Sequence, residues 1–275
     1  MRLILKTMVS NPSEIPFLWM MFGEAKDFVD QIIVTEFDET HSGLPRDFIF
    51  DSFHDEFVQE FPQLVYLQGS KLDGVVRNAE TPDQHHHNET LMRGWFARQL
   101  PFKKSDIIFS TDADEVLYGS TYQWVADNFS RRSHGVRFRL HQFFYRPNYL
   151  WLDKEFVAPV ALKFGRYSST YPNNWRYQGS TLNGFWGVHF SWCIPIEEMV
   201  KKVKNYSHAA EHRHLDQREV FISARNNKTF PFDEREFALS EVDFDSPLLP
   251  ESFSRYAHKL DPDVLGDGLR ETVSD

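Results

Sequence analysis

Residues 105–117 read Ser-Asp-Ile-Ile-Phe-Ser-Thr-Asp-Ala-Asp-Glu-Val-Leu. Ile107, Ile108 and Phe109 form a short run of β-branched and aromatic residues, the composition of a strand buried on both faces. The chain then turns abruptly acidic at Asp112, Asp114 and Glu115. Ligands of an open α/β sheet sit beyond the carboxyl ends of its strands, so this reading puts Asp112 and Asp114 at the mouth of a crevice, on a rigid support. Asp-x-Asp there suits a hard divalent cation, Mg²⁺ or Mn²⁺, which takes one or two carboxylates and completes its shell with phosphate oxygens and water. An isolated Asp-x-Asp is more often a solvated turn or a helix N-cap. The buried strand before it and the segments around it favour the site.

Upstream, residues 2–8 predict a first strand, and Asn11-Pro12-Ser13-Glu14 supplies a cap, a first-turn proline and early acidity for a helix running to about Phe22. Residues 31–35 predict a second strand with Glu36 at its end, residues 53–61 a helix and residues 64–67 a third strand. This β-α-β order predicts a parallel sheet. Residues 69–87 read as a long surface loop, in which His85, His86 and His87 lead into a helix rather than share a metal, since consecutive side chains do not share a helix face. Leu91, Trp95, Phe96 and Leu100 pattern that helix from Asn88, with Glu89 and Arg93 four apart on one face. The pair serves either as a helix-stabilising ion pair or in the site, because Arg93 lies one short connection before the acidic strand end.

Downstream, the pattern predicts a helix over 121–129, one or two strands over 135–145, and a hairpin against the same sheet over 148–163. Residues 167–187 read as loop near the site, 186–193 as strand and 196–203 as helix, followed by a charged helical stretch with Val220, Phe221 and Ala224 inward. One domain is expected over 1–237 and an irregular acidic tail over 238–275. The formal charge of −10 argues against a nucleic-acid or anionic-membrane surface, so phosphate handling needs a local cation. The lone Cys193 excludes an intrachain disulfide and a cysteine-based zinc cluster, and a reducing compartment is expected. No apolar run is long enough for a transmembrane span, and residues 1–9 read as strand rather than signal peptide.

Four stretches together are similar to family 17 glycosyltransferases: Val34-Thr35-Glu36 with residues 40–45; residues 89–93; Asp112-Ala113-Asp114-Glu115; and Gly187-Val188-His189-Phe190-Ser191-Trp192 with residues 201–208. Leu140-His141-Gln142-Phe143-Phe144-Tyr145 also resembles the family's central region, so the likeness runs in order over about residues 2–230. It departs from the animal members in having Thr111 where they carry Asp, Val188 where a Trp is usual and Phe190 in place of Cys. Bacterial relatives have Ser-His-x-Glu where this chain reads Ser207-His208-Ala209-Ala210-Glu211. The resemblance implies a GT-A type nucleotide-diphosphosugar fold, a mostly parallel central sheet flanked by helices. It also implies inverting transfer from an activated sugar, typically UDP-N-acetylglucosamine, to a glycan hydroxyl; with residues 1–9 read as strand rather than anchor, a cytoplasmic bacterial-type or viral-type enzyme is expected rather than a Golgi one.

Within that resemblance, Asp114 is the expected metal ligand, with Asp112 on the ribose or a metal-bound water and Glu115 orienting the pair. His208, then His189, are candidate further ligands, although a lone histidine is more often structural. Inversion needs a base, for which Glu211 is the first candidate and Asp216 the second, unless each simply solvates a helix face. Glu36, Glu89 and Arg93 are candidates for the nucleotide. Tyr145, Trp186 and Trp192 offer flat surface for a sugar ring, with core packing the ordinary role of each. The competing readings are a nucleotidyltransferase with a similar acidic metal site and a non-catalytic carbohydrate-binding protein.

Overall fold

The computed structural model describes residues 1–129, 134–166, 179–206, 208–233 and 235–266. The first half alternates strands and helices: β1 (Leu3–Met8), α1 (Ile15–Ala25), β2 (Gln31–Phe37), α2 (His54–Glu60), β3 (Leu64–Gly69), α3 (Pro82–Trp95) and β4 (Ile107–Ser110). These strands lie side by side in the order β3-β2-β1-β4, all parallel. Every residue of β1 and β4 is buried, because both faces are covered. Leu3, Leu5, Ile32, Val34, Ile107 and Phe109 pack toward α1 and Phe57 of α2, whereas Ile4, Ile33 and Ile108 pack toward Phe96 and Leu100. Two covered faces are what continuous apolar runs require.

α1 runs past Gly23 to Ala25 instead of ending before the glycine. A Cβ at Gly23 would lie 2.7 Å from the Tyr256 ring, so this glycine serves close packing rather than termination. α3 begins at Pro82, six residues earlier than the apolar pattern predicts, and so takes in all three consecutive histidines. Thr81 and Gln84 form a reciprocal capping box in front of it, with Pro82 in the first turn.

The second half is β5 (Glu115–Leu117), α4 (Gly119–Asn128), β6 (Gly135–Arg137), β7 (Leu140–Phe144), β8 (Tyr149–Phe156), β9 (Val160–Lys163), β10 (Ser180–Thr181), β11 (Gly187–Ser191), α5 (Ile196–Asn205), α6 (Ala209–His212), α7 (Arg218–Asn227), β12 (Leu239–Glu241), α8 (Glu251–Tyr256) and α9 (Pro262–Leu265). Among the described residues these strands divide between two sheets. One extends the parallel core as β10-β6-β9-β4-β1-β2-β3, and the other has the order β12-β8-β7-β11-β5. The expected hairpin over 148–163 is therefore corrected: β8 pairs with β7 and β12, while β9 crosses over to pair antiparallel with β4 and β6. The break falls at residues 157–159, ending in Pro159, which has no N–H to give a ladder. β6 and β7 likewise part at Phe138 and Arg139 into different sheets.

The C-terminal segment is more regular than its composition predicts. β12 is an edge strand on β8, and Leu249, Phe253, Tyr256, Leu260, Val264 and Leu265 join the main core. Most of the expected loop near the site, residues 167–178, lies outside the described residues, as do Ser207 and 267–275. No helix among the described residues is long and apolar enough to cross a membrane.

Candidate active site

β4 ends at Ser110 in the seven-stranded sheet, and five residues later the chain enters β5 in the other sheet. The acidic turn is the link between the two sheets. Its backbone is pinned three ways: Glu115 N–H donates to Asp112 O at 3.0 Å, Asp112 N–H to Glu115 Oε2 at 2.8 Å, and Phe190 N–H of β11 to Asp114 O at 2.9 Å. The turn forms the floor of a cleft of about 1080 Å³ at the carboxyl ends of β1, β2 and β4, walled by α3 on one side and by β11 and α5 on the other.

Arg93, 6% exposed, reaches the turn from α3. Its guanidinium grips both oxygens of Asp112, with Nη2 to Oδ2 at 2.9 Å, and also donates to Glu89 Oε1 from Nη2 at 2.8 Å and from Nε at 3.1 Å. Burial alone would weaken the Arg93 charge, but Asp112 and Glu89 outweigh it and hold the guanidinium firmly protonated. Burial likewise opposes ionisation of Glu89, while Arg93 and His86 drive its carboxyl far below the usual range. Beside them, burial lowers His41 to about 4, leaving it a neutral imidazole.

Asp114 faces a different set. His189 Nε2 lies 3.6 Å and Lys202 Nζ 3.7 Å from its Oδ2. Burial acts to raise the Asp114 carboxyl, and the opposed charges of His189 and Lys202 outweigh it and keep it below the ordinary range. The Phe156 ring covers His189 at 4.0 Å, and the indole of Trp192 stands 5.2 Å from Lys202 Nζ. Trp192 adopts φ +57°, a conformation costly for a bulky side chain, held by packing on Phe221 and Phe232. Glu14 lines the cleft from the turn before α1, taking Ser10 N–H at 2.8 Å and Ser10 Oγ–H at 2.9 Å. Burial raises its carboxyl, with Lys202 opposing and Asp114 reinforcing.

A family model described as Glycosyltransferase family 17 matches residues 2–225. The chain belongs to glycosyltransferase family 17. Its parallel sheet and cleft are thus those of a glycosyltransferase enzyme, with a sugar donor and an acceptor as its substrates. No curated protein sequence matches it. Among solved structures it is similar to 4-diphosphocytidyl-2C-methyl-D-erythritol synthase from Anaerococcus prevotii, at 9% identity and TM-score 0.35 over 59% of this chain and 70% of that one. It is also similar to mouse xyloside xylosyltransferase 1, at 10% identity and TM-score 0.32 over 64% and 73%.

Of the residues that the family 17 resemblance singles out, Glu89, Arg93, Asp112, Asp114, His189, Trp192 and His208 all line the cleft. Others do not, and the expected roles of Glu36, Tyr145, Trp186 and Asp216 are corrected. Glu36 is fully buried: its carboxylate takes the backbone N–H groups of Ile49 at 2.6 Å and Phe50 at 3.0 Å and the Tyr66 hydroxyl at 2.6 Å, tying down the loop after β2 instead of a nucleotide. Tyr145 is fully buried, its hydroxyl donating to Thr229 O at 2.7 Å. Trp186 stands before the first residue of β11, with Trp192 just past the last, and packs on Trp124 and Phe138. Asp216 pairs with Lys204 at 3.0 Å, outside the cleft. Glu211 sits behind His208, its Oε2 3.3 Å from Nδ1, while the His208 ring meets the edge of His86 at 5.3 Å.

The sequence reading missed Lys202 and Glu14. Lys202 stands in a run of charged residues on α5 that looks solvated throughout, and Glu14 looks like nothing more than a first-turn acid. Only the approach of α5 and the α1 turn to β4 gives them a shared environment with Asp114.

Proposed function

We propose that this family 17 enzyme has a GT-A type fold and transfers N-acetylglucosamine from UDP to a glycan hydroxyl, with inversion at the anomeric carbon and with Mn²⁺ or Mg²⁺ at Asp114. The observation that carries this reading is the Asp114 carboxylate on the cleft floor, met by His189. Asp114 Oδ2 and His189 Nε2, 3.6 Å apart, would hold the ion, the carboxylate being the donor type that Mg²⁺ and Mn²⁺ favour. No group of three or more His, Cys, Asp or Glu able to hold a metal occurs among the described residues. When bound, the metal supplies charge neutralisation to the diphosphate.

Both Asp112 oxygens already lie on Arg93, so in this reading Asp112 serves as a rigid acceptor for donor hydroxyl groups rather than as a metal ligand. The neutral His41 and the segments after β1 and β2 hold the nucleoside at the crevice where α1 and α3 leave opposite faces of the sheet. The acceptor oxygen bonds to the anomeric carbon as the bond to the β-phosphate oxygen breaks. The electron pair leaves with UDP. The hydroxyl proton passes to His208, whose other ring nitrogen faces Glu211. His208 and Glu211 thus act as one proton acceptor, in place of the separate metal and base roles expected for them.

Incubation with UDP-N-acetylglucosamine, Mn²⁺ and a glycan panel, read by mass spectrometry, tests the reaction class. UDP release is expected, and pyrophosphate release from a nucleoside triphosphate would indicate a nucleotidyltransferase instead. Asp114→Asn is expected to lower turnover by about 10²–10³-fold while the circular dichroism spectrum is kept. Full turnover with an unchanged Mn²⁺ response would remove Asp114 from the site.

A further inference from the structure

Lys202 is unusual for a lysine in a helix with so many exposed charges. Its side chain is 19% exposed, against 66% for the neighbouring Lys201, and it points into the cleft. The ammonium stands 3.7 Å from Asp114 Oδ2, longer than a hydrogen bond, and 5.2 Å from the centre of the Trp192 ring. Buried Glu14 lines the same cleft from the turn before α1. An ammonium has three donors, and among the described residues Lys202 makes no hydrogen bond with them, only the longer ion pair to Asp114. Trp192 walls one side of the amine in a strained backbone conformation, which limits where the lysine can go.

We propose that Lys202 is the protein's own counter-cation in this cleft. Before a donor binds it neutralises Asp114, and when the sugar nucleotide enters, it transfers its donors to the diphosphate oxygens. This deepens the preceding reading and rests on it. The exchange is electrostatically coherent: a divalent cation at Asp114 repels the ammonium, and the diphosphate that arrives with it offers a more negative partner a short side-chain motion away. Lys202 then stabilises the charge that develops on the β-phosphate oxygen as the bond to the sugar breaks. A lysine suits this better than an arginine already locked to carboxylates, as Arg93 is, because its point charge sits on a flexible stem.

The assignment makes two predictions of opposite sign for one substitution. Lys202→Met removes the competitor for Asp114, so Mn²⁺ measured by calorimetry without nucleotide binds several-fold more tightly. The same substitution lowers UDP affinity about 10- to 100-fold, the range for one hydrogen bond to a charged group, both with Mn²⁺ and in EDTA. Lys202→Arg retains most of the UDP affinity in EDTA, which shows that a cation rather than a packed side chain is required. A Lys202→Met protein that binds UDP as the wild type does, or that binds Mn²⁺ more weakly than the wild type, overturns the proposal. Wild type that binds no UDP with Mn²⁺ present overturns the donor reading together with it, whereas wild-type binding left unchanged by Lys202→Met overturns the lysine assignment alone.

Discussion

Arg93 and Lys202, which line the cleft together with Arg46, Lys154 and Lys201, differ in chemistry. The guanidinium is planar and always charged, and here it closes a fork onto Asp112 with Glu89 behind it. It is therefore a fixed part of the wall, whereas the ammonium stands 3.7 Å from Asp114 without a hydrogen bond to it, beside the Trp192 ring. Arg93→Met would leave Glu89 and Asp112 facing each other without their shared cation. Removing one member of a buried ionic cluster typically destabilises by about 3–5 kcal/mol, and a fall of that size is expected in urea denaturation. A loss below about 1 kcal/mol, the range of surface pairs, would mean that water already compensates these carboxylates. Glu36 teaches the opposite lesson about single residues. A carboxylate at a strand end reads equally well as a ligand or as a cap for backbone N–H groups, and only the position of Ile49 and Phe50 decides for the cap.

Among the elements, the pairing of β5 with β11 matters most to the site. Antiparallel register sets His189 opposite Glu115 and Gly187 opposite Leu117, so one ladder places both the acidic turn and its histidine. Gly187 makes that approach possible: a Cβ there would lie 2.3 Å from Val116 O and 2.8 Å from Leu117 Cα. Gly187→Ala is expected to push the strands apart, with a stability loss of roughly 1–3 kcal/mol as for other overpacked sites, and to weaken Mn²⁺ binding measured by calorimetry through displacement of His189. A variant with wild-type stability and Mn²⁺ affinity would show that the ladder has more slack than this spacing implies. The start of α3 is legible in its cap rather than in its apolar pattern: Thr-Pro-Asp-Gln at residues 81–84 is a complete N-terminal signal, whereas the apolar pattern begins only at Leu91.

At the scale of the molecule, the C-terminal segment completes the core that supports the cleft. Glu24 of α1 joins three helices, one oxygen taking the N–H of Gly119 at 2.7 Å and the other that of Ser252 at 2.7 Å. Phe253, 2% exposed, packs near Phe190, the residue after His189. Phe253→Ala is expected to cost about 3–5 kcal/mol, as for other buried aromatics truncated in a core, and denaturant midpoints check it; a loss under 1 kcal/mol would show the segment to be peripheral. The chain's own order of residues determined the parallel β-α-β core and the acidic turn, because strands buried on both faces need continuous apolar runs and their ends need polar residues, both local signals. Membership of one sheet or the other was not local. Val136, Phe138, Leu140 and Phe144 keep one alternating apolar pattern while the chain passes from the first sheet to the second, and all four are buried, so the pattern carries no mark of the change. Lys202 and Glu14 came to the site only through folding, as did the contact between His208 and Glu211. Charged residues look alike along a sequence, and their chemistry depends on which opposite charges the packed elements bring within a few ångströms and shield from water.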